Sequence, residues 1–401
     1  IGTCSFKGNS ATNTLTLKST DTANWKVEFT GTKPTENNFS YAVIERSSSV
    51  ASDGSSANDL NLNQSASKVC EKLNGDDGTT TNNYWFDYAY TWKGTTSSDW
   101  KTASNWVYTD GSTAYSYPPY GTKLASITID TTATTGKDLN LGSGISKASD
   151  ATAKVSDIKL KSLTINSAKR IDIGSCTITA DTITNNGTLC LDGSKATPLS
   201  ATTLTHDSDS TVEFEGWTSG TAISSTYAGL GLGTSNSFNN LKVTEYGGTT
   251  GTDEFKFTSN TVLKVSKKFE SDAKKITTTA SQNFGGVVEL KNNDSTLDAG
   301  GNGITVNANV TGSGNVTFES PVTVGADIEI KSSASDEKIK FGSTVTSSNK
   351  ITITGNLENT GTVTSSALVR NGNSGNDATW KATGAVTADI TIFTGKNIYL
   401  Q

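Results

Sequence analysis

Along most of this chain, apolar residues come in doublets split by one polar residue, and short polar turns separate the doublets. That alternation is the period of a β-strand with one buried face. From about residue 125 to 401 the doublets alternate with Asn-Gly, Gly-Ser and Thr-Gly turns, and no helix-period stretch exceeds two turns. In the C-terminal third the doublets return regularly. One track runs Val316, Ile339, Val363 and Val386, and a second runs Val322, Val345 and Leu368. A third leads from Ile304 and Val306 to Ile328 and Ile351, and all three repeat about every 23 residues. Three apolar tracks per period fit a three-sided coil of parallel strands, each inward residue stacking on its counterpart about 4.8 Å away. Parallel crossovers are right-handed by default. The predicted fold is all-β, a right-handed three-sided parallel β-helix over 125–401. A lone coil buries too little to fold, so coils need neighbours and the ends need covers. Ile390-Thr391-Ile392-Phe393 and Ile398-Tyr399-Leu400 are still strand-like at the end of the sequence. The β-helix is therefore expected to continue beyond the chain or to meet another subunit.

Upstream the pattern changes twice. Residues 1–83 alternate at Leu15-Thr16-Leu17 and at Trp25-Lys26-Val27-Glu28-Phe29, which predicts a small β-rich N-terminal domain, either a sandwich or a capping layer. Ser47 to Ser67 reads as an exposed loop, with Asp59-Leu60-Asn61-Leu62 as a short strand inside it; Val69 to Leu73 reads as one helical turn. Residues 84–124 form an aromatic capping segment holding Tyr84, Trp85, Phe86, Tyr88, Tyr90, Trp92, Trp100, Trp106 and Tyr108, closed by Pro118-Pro119. Trp92, Trp100 and Trp106 have two readings. Flat rings stack on sugar faces and would make a glycan platform; the same rings could instead cover the open end of the first coil.

Composition narrows the function. Hydrophobic residues are 33% and Gly adds 38 residues, so core formers sit only a little below the usual share. Charged residues are 18%, well under the usual quarter, and Ser, Thr, Asn and Gly fill the surface instead. A net charge of −6 with arginine only at positions 46, 170 and 370 argues against nucleic acid. No apolar run approaches the ~18 residues of a membrane span. A chain of 401 residues without Met reads as a processed segment with any signal peptide removed.

Four cysteines, at 4, 70, 176 and 190, include no CxxC, and His206 is the only histidine, so no metal site is expected. Disulfides, most simply Cys4–Cys70 and Cys176–Cys190, would imply an oxidising compartment; buried thiols are the alternative.

At Thr91-Trp92-Lys93-Gly94, Ser98-Asp99-Trp100 and Ser104-Asn105-Trp106 the sequence resembles an entry motif of secreted bacterial surface proteins. Leu163-Thr164-Ile165-Asn166-Ser167, Thr184-Asn185-Asn186-Gly187-Thr188-Leu189, Thr211 to Gly216 and Phe238 to Val243 resemble their later coils. The likeness covers roughly 90–265. It implies an extended β-helix of the autotransporter-passenger or haemagglutinin-like adhesin kind, mostly without enzymatic activity.

Local chemistry is sparse. His206, Asp207 and Asp209 are the nearest candidate for the paired carboxylates of a polysaccharide-cleaving β-helix, but they read better as a solvated turn. Gly300-Gly301-Asn302-Gly303-Ile304 begins like a calcium repeat, yet Thr305 stands where the ligand Asp belongs. The Thr-x-Thr pairs Thr177/Thr179, Thr182/Thr184, Thr352/Thr354 and Thr362/Thr364 would suit an ice-binding face only if spaced by one coil, and they are not. The expectation is a non-enzymatic extracellular or cell-surface protein without cofactor, structural or adhesive, with self-assembly into a fibre or filament as its further form. Its partners would be copies of itself or surface glycans and proteins. The alternative is a carbohydrate-binding or polysaccharide-degrading β-helix.

Overall fold

The computed structural model describes residues 5–9, 15–17, 25–29, 39–40, 42–44, 47–51, 62–63, 69–70, 86–87, 89–109, 111–114, 117–118, 125–131, 139–140, 157–174, 176–193, 199–217, 222–224, 237–244, 253–258, 262–333, 337–371, 378–393 and 398–400. Among them there is no α-helix, and no helix long and apolar enough to cross a membrane. Nearly all regular structure is parallel β. The chain divides into two compact units, one of residues 1–143, 149–184 and 201–203, the other of 144–148, 185–200 and 204–401.

In the first unit, Ala89–Trp92, Ser126–Ile129 and Asp157–Ile165 stack in parallel, with Tyr90, Ile127 and Leu163 in one column and Trp92, Ile129 and Ile165 in the next. Every member of both columns is buried. The earlier strands also pair in parallel: Phe6 with Phe39, Leu15 with Ala42 and Trp25 with Ser47. That is coil pairing, and a sandwich would instead pair its strands antiparallel. Val69–Cys70, expected to be helical, is a strand paired with Ala42–Val43, as the β-propensity of valine favours. The short strand expected at 59–62 starts at Leu62, with 59–61 outside the described residues.

The second unit is a solenoid with three strands per coil. Its third face is a sheet of nine parallel strands, from Ala222–Ser224 through Asn315–Phe318 and Lys338–Phe341 to Ile398–Leu400. The first face carries Gln282–Phe284, Ile304–Val306, Val322–Val324 and Val345–Ser347; the second carries Val287–Leu290, Val310–Gly312, Ile328–Ser332 and Lys350–Thr354. Val363–Asn371 spans both, pairing with Val345–Ser347 at one end and with Lys350–Thr354 at the other.

The interior is made of aligned columns. On the third face Phe255, Ile276, Leu297, Phe318 and Phe341 stack in register, the last two rings 5.5 Å apart at 26°. On the first face the column is Leu263, Gln282, Ile304, Val322, Val345, Val363 and Val386. The 23-residue interval is therefore an average that hides a variable coil. From Ile304 the successive steps along this column are 18, 23, 18 and 23 residues.

All three expected tracks cross columns for this reason, the third passing from Ile304 and Val306 on the first face to Ile328 and Ile351 on the second. Leu368 stacks on Ile351, not Val345; Val363 stacks on Val345, while Ile339 meets Leu357. The corners cause the variation. Residues 333–337 join the second face to the third in one coil, but Gly355 alone makes that corner in the next. Its φ of +130° is open to glycine and strained for any other residue.

Asparagine and aspartate at the corners fasten one coil to the next. Asn315 Oδ1 accepts the N–H of Lys338 at 2.7 Å, Asp327 Oδ1 that of Lys350 at 2.8 Å, and Asn356 Oδ1 that of Thr379 at 3.0 Å. Each satisfies a backbone donor at or near a strand start that the ladder leaves over. The Asn-rich composition thus has a structural use.

Two substitutions separate column packing from corner bonding. Ile330→Ala, in a fully buried column position, is expected to cost about 2–5 kcal/mol. Asn315→Ala should cost about 1–2 kcal/mol. Urea unfolding followed by circular dichroism measures both, and equal losses would contradict this division.

Candidate functional site

The aromatic segment begins on Ala89–Trp92, whose alternate residues Tyr90 and Trp92 point inward. Trp106–Val107 runs antiparallel to it, setting Trp92 opposite Trp106. The connection between them is organised by Asn105, which is fully buried. Its Oδ1 accepts the N–H groups of Thr96 and Ser97 at 2.9 and 3.0 Å, and its Nδ2 donates to Ser97 Oγ and the Asp99 carbonyl. Asp99 Oδ1 accepts the N–H of Lys101 at 2.9 Å. The Asp-Trp and Asn-Trp pairs thus have divided labour: the polar residue folds the loop and the Trp fills the space beneath.

Trp92, Trp100 and Trp106 are 0%, 1% and 0% exposed. Trp106 packs edge-on against Trp92 at 5.0 Å and against Trp100 at 4.8 Å. Two of the indoles donate to backbone carbonyls, Trp100 Nε1 to that of Pro118 and central Trp106 Nε1 to that of Trp100. Rings buried on this scale present no open face for a sugar to stack on. They are core.

The other sequence candidates fall in separate places. His206 to Ser210 is a turn: the Asp207 carbonyl accepts the Ser210 N–H at 3.0 Å, and exposed Asp209 is paired with Lys267. Gly300 and Gly301 turn at positive φ, with Asp298 Oδ1 accepting the Gly300 N–H; the local carboxylate serves the backbone. The Cys176–Cys190 disulfide is corrected, since both are buried thiols that are not joined. Cys190 Sγ lies within 4.8 Å of a carboxylate oxygen of buried Glu215. Cys4 and the side chain of Cys70 lie outside the described residues.

What the coil stacking assembles, and sequence spacing concealed, is a difference between the faces of the second unit. On the first face Thr305, Thr323, Thr346, Thr364 and Thr387 stand in one outward column, each directly paired with the next. All but half-buried Thr305 are exposed. Thr344 and Thr362 flank them, and Ser348 and Ser366 lie on their other side, also exposed. The Thr-x-Thr pairs noted in the sequence do not form this column; only Thr364 belongs to it. Among the described residues, the lysine–carboxylate pairs of these coils belong to the other two faces. On the second, Lys268 bonds Glu270 and Glu289 at 2.9 and 3.2 Å, and Lys291 bonds Glu289 at 2.7 Å. On the third, Lys275 bonds Asp298 and Glu319 at 2.9 and 2.8 Å. The bond from Lys291, then that from Lys268, outweighs burial and holds the Glu289 carboxyl below its ordinary 4.5. Lys268 is raised, first by its bond to Glu270.

Comparison with family models, curated proteins and solved structures returns no match to this chain.

Trp106→Ala should destabilise the protein by about 3–5 kcal/mol without altering any sugar binding; lost glycan binding at unchanged melting would contradict its burial. Because the folded Glu289 carboxyl ionises below its unfolded value, its stabilisation is complete above the ordinary 4.5 and is lost as pH falls through the folded value. Glu289→Gln is expected to lower stability at pH 7 by less than about 1 kcal/mol, screened as the pair is. The gap should close on acidification, as read from urea midpoints across pH.

Proposed function

We propose that this protein is an extracellular structural or adhesive element of a bacterial surface, and that it associates with further copies of itself through the threonine coils on the first face of its solenoid. The observation that carries this reading is the in-register threonine column beside two charged faces. Copies with a net charge of −6 repel one another at long range. A flat face of hydroxyl and methyl groups is where two such molecules can approach without desolvating ions. Repetition at the strand spacing lets each added coil extend the same contact. Along the threonine coils the face lacks the lysines that usually guard exposed β surfaces against association; the lysine of that outward column, Lys264, stands two strands before Thr305.

The resemblance of the Trp-Lys-Gly, Asp-Trp and Asn-Trp run to secreted surface proteins supports the same reading, and with it an extracellular location. Sugar binding through the aromatic segment gains no support from buried Trp92, Trp100 and Trp106.

Sedimentation velocity and electron microscopy of the purified chain test the proposal. Concentration-dependent bundles or filaments are expected, and the double substitution Thr346→Lys with Thr364→Lys should weaken self-association at least about tenfold through like-charge contact. Discrete single-chain particles at all concentrations would sink self-association. Cleavage of a polysaccharide by the pure protein would sink the structural reading altogether.

A further inference from the structure

Arg370 occupies a position built for an aliphatic side chain. Its column on the second face runs Leu189, Val212, Leu241, Phe269, Val288, Val310, Ile330 and Ile353 before reaching it, and Ile392 follows. The residue is 2% exposed. Nη1 donates to the Asn371 carbonyl, whereas Nε and Nη2 have no hydrogen-bond partner among the described residues. The same strand holds a second buried donor without a partner, Ser365 Oγ.

The charge does not resolve itself. Burial lowers the guanidinium to about 10, so it stays protonated at neutral pH. A buried cation needs a counter-charge, and its remaining donors need acceptors. The two idle nitrogens are moreover a matched pair. Nε–H and the Nη2–H beside it form one edge of the planar guanidinium, the fork that holds two oxygens of one anion in parallel bonds. The nitrogen already engaged by Asn371 lies outside that edge. A lone water could accept one of these bonds but would leave the charge uncompensated.

We infer that Arg370 is an internal anion-binding residue, its Nε–Nη2 edge taking a small ligand with two anionic oxygens, either a carboxylate or a tetrahedral oxyanion. The ligand would complete the interior of the coils around Val363–Asn371 and Val386–Phe393, so these coils should be more stable with it than without it.

The test uses the full chain and the side-chain Nε–H resonances in a nitrogen–proton correlation spectrum. With arginine at only three positions, Arg370→Met assigns the signal by its loss. Sodium sulfate and sodium acetate are titrated separately, with ionic strength held constant by chloride. The Arg370 signal is expected to shift saturably with at least one of them: sulfate alone identifies an oxyanion site, acetate alone a carboxylate site. The melting temperature should rise by about 3–6 °C at saturation beyond the rise in Arg370→Met. If that variant does not fold, Arg370→Lys keeps the charge without the fork and should bind the same anion at least about tenfold more weakly. An unmoved Nε–H signal in both titrations, or an equal thermal response in the variant, overturns the inference.

Discussion

Everything in the second unit depends on one constraint, that each inward side chain must fit the residue directly above it and the residue directly below. Parallel strands in register leave no freedom to slide, because a slip of one residue would turn every aliphatic outward. Columns such as Phe255, Ile276, Leu297, Phe318 and Phe341 are the result. The constraint acts on strands alone. Corners can lengthen or shrink: five residues separate Ile328–Ser332 from Lys338–Phe341, but buried Gly355 alone separates Lys350–Thr354 from Asn356–Asn359.

Outward positions are free of the column rule, and the faces use that freedom differently. Two of them pair lysine with carboxylate across neighbouring strands; the other repeats threonine. Such a division arises only because residues a coil or more apart become neighbours, as Lys268 and Glu289 do, so a short charge pattern read along the chain does not show it. In the first unit the same logic is applied to large rings. Trp92 belongs to a column, while Trp106 packs beside it from the antiparallel strand and Trp100 from the loop that Asn105 holds in place. Polar residues there shape the backbone, and the aromatics supply the buried area.

Much of this was legible. Period-2 doublets specify strands, and three tracks per repeat specify a three-sided parallel coil. The aromatic run was recognisable as a distinct element, although its spacing fits a platform and a plug equally well. Ring burial separates the two, and burial depends on what packs around the loop. The register was only half legible. A constant interval of about 23 residues placed Leu368 over Val345 because an interval cannot reveal a five-residue difference in corner length. Of the two readings open for Cys176 and Cys190, a disulfide and buried thiols, the structure has the thiols.

The sequence by itself determined the class of structure, since apolar alternation and turn residues are local properties that each segment carries wherever it goes. Only the tertiary structure decided which residues meet across coils. The threonine column and the guanidinium of Arg370 inside an aliphatic stack are both facts of register. Register is settled by the summed fit of all columns at once, and no single segment contains it.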